Sequence, residues 1–284
     1  MTASVPPVPP ASHPASIIPE VGWHCMHAYY EFDRTIYTHW TADERERARS
    51  QFLAALSIGR DDRPQRQQTF IVSGHKADFG MIMLDPDPLR IDRGHQALRT
   101  GMLGSLLRPT FSFVSMTEIS EYVPTVEQFG RKLVADGASP DDATYQARVK
   151  AYAEREPAMR AQRLTPDPPD WPATCFYPMN KKRVPGANWF LLPYSERADL
   201  MSDHAKSGME FIGRVSQLIT VGLGLDDWEW GVTLWARNPQ FLKEIVYRMR
   251  FDEASARYAG FGPFFVGYPS TPEEILRHCG ITEG

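Results

Sequence analysis

The sequence predicts an α+β fold built from two tandem ferredoxin-like units, each ordered βαββαβ in the manner of a dimeric α+β barrel. Three observations predict it. Strand and helix signals run in the same order twice along the chain, the stretch 76–86 resembles the stretch 225–235, and a strongly charged segment without strand signals separates the halves. Such a unit has one helix-covered sheet face and one bare face, and two units hide their bare faces by packing sheet on sheet.

Residues 1–20 are rich in Pro, Ala and Ser and carry no Lys or Arg, so they read as a disordered tail rather than a signal peptide. The first unit spans 21–122. An aromatic-rich strand is expected over 22–32, and Thr41-Ala42-Asp43-Glu44 is a capping box opening a helix with Ala48, Phe52, Ala55 and Leu56 at helical spacing. Strands follow at 69–73 and 78–84, a helix over about 89–107 after Asp85-Pro86-Asp87-Pro88, and a strand at 110–119. Residues 123–165 form a charged helical linker, with an exposed helix around 143–161. The second unit, 166–284, repeats the order: strands at 174–179 and 189–192, a helix over 195–211, strands at 214–221 and 227–235, a helix over 239–249 and a strand near 261–267.

The 284-residue chain is 42% hydrophobic and 23% charged, ordinary for a soluble globular protein. A net charge of −4 argues against a general nucleic-acid binder, and the cations Lys181, Lys182 and Arg183 suit a small anion better than a polymer. No run approaches the roughly eighteen apolar residues of a membrane span. Cys25, Cys175 and Cys279 are few, odd in number and far apart, which suggests a reducing compartment and a cytoplasmic protein. His24, Cys25 and His27 lie close together, but on a strand the two histidines point to opposite faces and fit no common zinc pattern. His75 and His95 read as loop or surface residues, and residues 248–257, with alternating charges, as a structural ion network.

The chemistry concentrates between Tyr177 and Gln217. Leu200, His204, Gly208 and Phe211 share one helical stripe, and Gly208, one turn from His204, removes bulk beside the imidazole. On the next strand Val215, Gln217, Ile219 and Val221 alternate onto one face. A planar ligand between helix and sheet would meet His204 on one side and Gln217 on the other. The plainer alternative is a helix packed directly on the sheet, with His204 satisfied locally. Tyr177 adds an oxidisable phenol beside Met179, with Lys181 just beyond. Together these suit a flat, acidic, redox-active molecule, and an iron porphyrin fits best.

Four stretches carry a family resemblance: Cys175-Phe176-Tyr177-Pro178-Met179-Asn180-Lys181-Lys182-Arg183, Asn188-Trp189-Phe190-Leu191-Leu192-Pro193, Asp226-Asp227-Trp228-Glu229-Trp230-Gly231-Val232-Thr233-Leu234 and the segment 245–258. The chain resembles the coproheme decarboxylases of the chlorite-dismutase-like superfamily, of the Gram-positive type with a distal glutamine. The match is dense from about 163 to 268 and looser from 22 to 122. It implies that His204 is the axial ligand of the iron, Gln217 the distal glutamine and Tyr177 the catalytic tyrosine that becomes a radical. It implies that Lys181 serves a second reacting propionate and Met179 lines that edge. Arg163 and Ser255 are implied as propionate contacts, Trp230 as a proximal tryptophan and Trp189 as an aromatic near the site. The implied reaction converts two propionates of iron-coproporphyrin III, at once substrate and redox centre, to the vinyls of haem b with hydrogen peroxide as oxidant. Implied partners are other copies of the chain in a homopentamer and a coproporphyrin ferrochelatase as substrate donor. A haem carrier or sensor has no need of Tyr177 among carboxylate binders. Chlorite dismutases place an arginine at the distal position, so Gln217 speaks against dismutase or general peroxidase chemistry. Family tyrosines are replaced by Phe111 and Phe113, so hydroxyl contacts from that strand are expected to be missing.

Overall fold

Alternation of large apolar and smaller residues produces four strands in each half of the chain. They are β1 (His24–Phe32), β2 (Arg66–Val72), β3 (Phe79–Asp85), β4 (Leu107–Thr117), β5 (Ala173–Lys181), β6 (Val215–Val221), β7 (Trp230–Ala236) and β8 (Phe265–Pro269). This computed structural model describes residues 15–57, 59 and 61–281, so the predicted tail lies outside them up to residue 14. Eight helices matter here: α1 (Ala42–Ala55), α2 (Pro88–Thr100), α3 (Val126–Ala135), α4 (Ala143–Leu164), α5 (Tyr194–Met209), α6 (Pro239–Met249), α7 (Glu253–Tyr258) and α8 (Pro272–His278).

Each half has the ferredoxin-like strand order, β4-β1-β3-β2 in the first and β6-β7-β5-β8 in the second, antiparallel throughout. The two sheets do more than stack. Ile71 of β2 pairs with Tyr268 of β8, and Met116 of β4 pairs with Val221 of β6, so both pairs of edges join. The result is one closed eight-stranded barrel, which leaves these strands no free edge. A short strand, Ala259–Phe261, extends the far end of β5 beside Met179.

The bare faces become the barrel interior, filled by Tyr29, Phe70, Phe113, Phe176, Trp235 and Phe265. Gly80 and Gly231 occupy equivalent positions in the third strand of each unit. A Cβ at Gly80 would lie 2.6 Å from the Tyr29 ring, and one at Gly231 would lie 2.4 Å from the Phe113 ring. Both glycines exist to admit those rings. His27 is fully buried here, stacked on Phe176 at 4.1 Å with its Nε2 2.7 Å from Thr233 Oγ1. Burial pushes its pKa down to about 3, so it packs as a neutral ring. Phe111 and Phe113 also face this interior, among Tyr29, Phe176 and Phe265, so the expected gap in hydroxyl contacts falls in the barrel core and not on the helix-covered face.

The capping box at Thr41 and Glu44 forms as expected and starts α1. Asp87, with Pro88 in the first turn, starts α2. Phe52, Leu56, Ile91 and Leu98 bury this helical layer on the first unit, and His95 of α2 reaches inward to the Tyr30 hydroxyl at 2.5 Å rather than lying on the surface. Ile275 and Leu276 of α8 and Ile281 join the same core. The last helix therefore follows the second unit in sequence but packs on the first. In the linker, α3 and α4 form a hairpin held by Phe129 stacked on Tyr152 at 4.3 Å. The charged helix over 143–161 forms, and α3 adds a helix that the charge pattern does not predict. Residues 189–191, expected as strand, are a 3-10 turn, because Asn188 Oδ1 accepts from the Phe190 N–H and Pro193 follows.

A candidate haem site between helix α5 and the second-unit sheet

Outward-facing side chains of the second unit form a grid fixed by strand register. One row reads Met179, Trp230, Val221; the next Tyr177, Val232, Ile219; the next Cys175, Leu234, Gln217. Lys181, the last residue of β5, continues the first column where it pairs with Ala259. Tyr177, Met179, Trp230 and Gln217, all singled out in the sequence, thus lie on one wall.

Helix α5 covers this wall without settling on it. It packs mainly on α6 and α7, and its one buried residue is Ser207. Beneath it Ile219 stays 41% exposed and Gln217 is exposed as well. Gly208 faces Gln217: a Cβ there would stand 3.9 Å from Gln217 Nε2 and 3.2 Å from Met249 Cε. The first unit makes a telling contrast. Gln67, opposite Met83, stands where Gln217, opposite Leu234, stands in the second. There the helix has closed down, and Gln67 Nε2 donates to the Leu56 carbonyl at 3.0 Å. Of the plainer alternative, the helix seated on its sheet describes the first unit, and the histidine satisfied locally describes the second, where His204 Nδ1 meets Asp252 and Ser255.

His204 projects from α5 and is held from behind. Its Nδ1 lies 3.0 Å from Asp252 Oδ2 and 3.4 Å from Ser255 Oγ. An ionised carboxylate only accepts, so Nδ1 is the donor, and in the neutral ring this leaves the Nε2 lone pair for a metal. Asp252 is the N-cap of α7 and accepts from the Ser255 N–H at 2.9 Å. Burial pushes its pKa up, yet the bonds from His204 and Ser255 outweigh that and hold it below the usual carboxylate value. The ion network expected over 248–257 exists in part, as Arg248–Glu210 and Arg257–Glu253, but Asp252 serves the imidazole instead. The sequence signal for this role is an N-cap Asp three residues before Ser255.

Tyr177 is buried, with its ring stacked on Phe264 at 4.4 Å and tilted against Phe261 at 5.8 Å. Burial raises its pKa well above the ordinary phenol value, so it stays protonated. Lys181 sits with Nζ 3.9 Å from the ring centre of Trp189, which is itself 3% exposed. Burial pushes the ammonium down to about 8, against the pull of Asp252 and Glu229. Ser255 is buried beside His204, so the structure sets it behind the imidazole. Arg163 lies exposed in the last turn of α4. That turn is tied to the same barrel end, since the Leu164 carbonyl accepts from Thr117 Oγ1 at 2.7 Å and Thr117 pairs with Thr220. Arg163 therefore stands at the rim rather than among the other residues.

Exposed Gln217 and Ile219 under a helix, a glycine in that helix and a histidine with a free Nε2 all fit an iron porphyrin. His204 would bind the iron, and Lys181 and Arg163 supply cations for its carboxylates.

A duplicated ferredoxin-like barrel with a histidine helix standing off one sheet defines a class of haem-site α+β proteins. A family profile described as "Chlorite dismutase" matches residues 45–270, and the chain belongs to that family. It is 36% identical over 258 residues to a coproheme decarboxylase of Staphylococcus carnosus, covering 90% of this chain and 94% of that one. It is 34% identical over 264 residues to a coproheme decarboxylase of Oceanobacillus iheyensis, covering 92% and 96%. A putative heme-binding protein of Natronomonas pharaonis is 34% identical over 259 residues; the chain spans 40% of that longer protein. Among solved structures, a heme-binding protein from Thermus thermophilus is 31% identical with a TM-score of 0.72, over 92% of this chain and 96% of that one. A mutant chlorite dismutase from Candidatus Nitrospira defluvii shares the fold at 15% identity, with a TM-score of 0.67 over 93% and 98%.

Proposed function

We propose that this chain is a coproheme decarboxylase, which converts two propionates of iron-coproporphyrin III to the vinyls of haem b with hydrogen peroxide as oxidant. The observation that carries the reading is the pairing of His204, tied by Nδ1 to buried Asp252, with a sheet wall that bears Tyr177 and exposes Gln217 beneath Gly208 of the same helix. The substrate supplies the redox-active iron. The chain's own residues bind, orient and exclude water. His204 holds the iron, and its orientation is set by Asp252.

Tyr177 is the group that passes oxidation to a propionate side chain, and its packing against Phe264 and Phe261 fixes where the phenol meets the substrate. Lys181 takes a substrate carboxylate and Arg163 a second at the rim, while Ser255, expected as a propionate contact, sits behind the imidazole and donates to Asp252 instead. Met179 and Trp230 line the wall, and Trp189 stands behind Lys181. Gln217 is neutral and cannot take a proton from peroxide, which favours slow, directed oxidation over general peroxidase turnover. The same reading carries a 21–122 unit without haem, a porphyrin-binding 166–284 unit, a cytoplasmic location, a homopentamer and a coproporphyrin ferrochelatase as donor. No helix among the described residues is long and apolar enough to cross a membrane.

The test is to mix the purified protein with iron-coproporphyrin III, titrate in hydrogen peroxide and follow the porphyrin by mass spectrometry. Stepwise loss of two carboxyl groups supports the reading, whereas a bound but unchanged porphyrin makes the protein a carrier. Tyr177→Phe is expected to bind the porphyrin with little change and lose decarboxylation at least about 100-fold, of the order seen when a catalytic group is removed. Full activity in that variant overturns the role given to Tyr177.

A further inference from the structure

Lys181 is a half-buried cation whose partner is a ring and not a carboxylate. Its ammonium lies 3.9 Å from the centre of the Trp189 indole. Two carboxylates act on it, and both are engaged elsewhere. Glu229 Oε2 accepts from the Lys181 backbone N–H at 2.7 Å, and its Oε1 lies 3.3 Å from Arg183. Asp252 is taken by His204 and by the Ser255 N–H.

The indole is built in from several sides. Trp189 packs edge-on against Tyr258 at 5.5 Å and Tyr122 at 6.4 Å. Its backbone N–H donates to the Lys182 carbonyl at 3.0 Å, and the Lys182 N–H donates to the Tyr258 carbonyl at 2.7 Å. Turn, strand end and α7 are thereby tied together. A cation over an indole face is stabilised while its charge remains unneutralised.

We propose that Trp189 is a positioning residue for Lys181: it holds the ammonium charged and unpaired at the sheet end, ready for a substrate carboxylate. This rests on the proposed decarboxylase reading for the identity of the carboxylate, though the Lys181–Trp189 pairing does not. An ion pair in place of the indole would force the substrate carboxylate to displace a resident one. The indole competes more weakly and lies beneath the ammonium, leaving its outer N–H donors free. When a propionate has become a vinyl, the charge is not stranded, because the ring still faces it.

The pairing also predicts a titration. Around Lys181 stand Glu229 before β7, Arg183 paired to it, Asp252 at the start of α7 and His204 behind Asp252. None of these changes in Trp189→Leu, so that variant isolates the ring. A desolvated cation–π contact corresponds to about one pH unit of preference for the charged lysine. In porphyrin-free protein, NMR of isotopically labelled lysine should find ring-shifted Lys181 Cε protons and a midpoint near 8. Trp189→Leu should abolish the ring shift and lower the midpoint by about one unit, and Trp189→Phe should retain part of both. Circular dichroism checks that each variant is folded, and Trp189→Phe keeps the test usable if the leucine variant is not. An unshifted Lys181 in the wild type, or an unchanged midpoint in a folded Trp189→Leu, overturns the proposal.

A second measurement separates this from the functional reading. Affinity for iron-coproporphyrin III should fall at alkaline pH, with the fall moved about one unit lower in Trp189→Leu. Loss by the same factor at every pH indicates a merely structural role and overturns the proposal. Intact pairing with a porphyrin affinity indifferent to Lys181 ionisation overturns the carboxylate assignment, and with it the positioning role, while sparing the pairing.

Discussion

Replacing Asp252 by asparagine separates the support of His204 from the capping of α7. Asn is as good an N-cap as Asp, so the bond from the Ser255 N–H at 2.9 Å persists and the helix start is kept. The charge is what disappears. The bond from His204 Nδ1 at 3.0 Å loses its ionic character, and a hydrogen bond to a charged group contributes about 1.5–3 kcal/mol. The imidazole becomes a weaker electron-pair donor at Nε2 and less firmly oriented. Loss of such a partner behind a metal-binding histidine weakens metal affinity about 10–100-fold. Stability should fall by about 1 kcal/mol or less, since the cap remains. Asp252→Ala differs: it removes the cap at about 1 kcal/mol and strands the Ser255 N–H and the His204 Nδ1–H at about 1–3 kcal/mol each. The assay is optical titration of both variants with iron-coproporphyrin III, paired with urea unfolding. Asp252→Asn with unchanged affinity and an unchanged axial-ligand spectrum would refute the role given to Asp252.

Three further outcomes are expected. Gly208→Leu should fill the gap between α5 and Gln217, weakening porphyrin binding at least about tenfold while the fold survives, because the Met249 tip can move aside; spectroscopic titration and thermal melting check the two halves of this. His27 has a folded pKa lowered to about 3 from 6.5, so the unfolded chain binds its proton first and stability is lost as pH falls below about 6.5. The loss reaches about 2 kcal/mol by pH 5, and urea unfolding of His27→Gln between pH 7 and 5 should have a correspondingly flatter pH dependence. Gly231→Ala puts a Cβ 2.4 Å from the Phe113 ring in a filled barrel, so about 1–3 kcal/mol of stability should go, read as a lower melting temperature.

Much of the second unit was legible because its signals are local. The stripe Leu200, His204, Gly208 and the alternation Val215, Gln217, Ile219 each need only one element to be read. Barrel closure was not legible, since pairing of Ile71 with Tyr268 joins strands distant in sequence and both would read as ordinary edges. Nor was the packing of α8, whose Ile275 and Leu276 describe an apolar face but not which unit receives it. Trp189 looked like strand because aromatic runs favour strands, and a local Asn188 bond with Pro193 outweighed that preference. Asp252 was hidden by being both a helix cap and the partner of a histidine 48 residues away.

The two units share strand order, interior glycines and even a glutamine at one register position, so the fold by itself cannot decide which of them holds a ligand. Helix composition is where they differ. In the first unit Phe52 and Leu56 fill the space over the sheet, Ile275 and Leu276 arrive from the chain's far end, and Gln67 spends its amide on the Leu56 carbonyl. In the second unit the corresponding helix brings His204 and Gly208, and its buried surface amounts to Ser207. Sending α8 to the first unit leaves the second without that apolar face over its sheet. Gln217 therefore keeps its amide exposed beside Gly208. The helix above it is braced on α6 and α7, with Asp252 fastening His204 in place. On the proposed reading, the duplicated fold assigns stability to one copy and chemistry to the other through a few side chains on one helix, over a shared barrel.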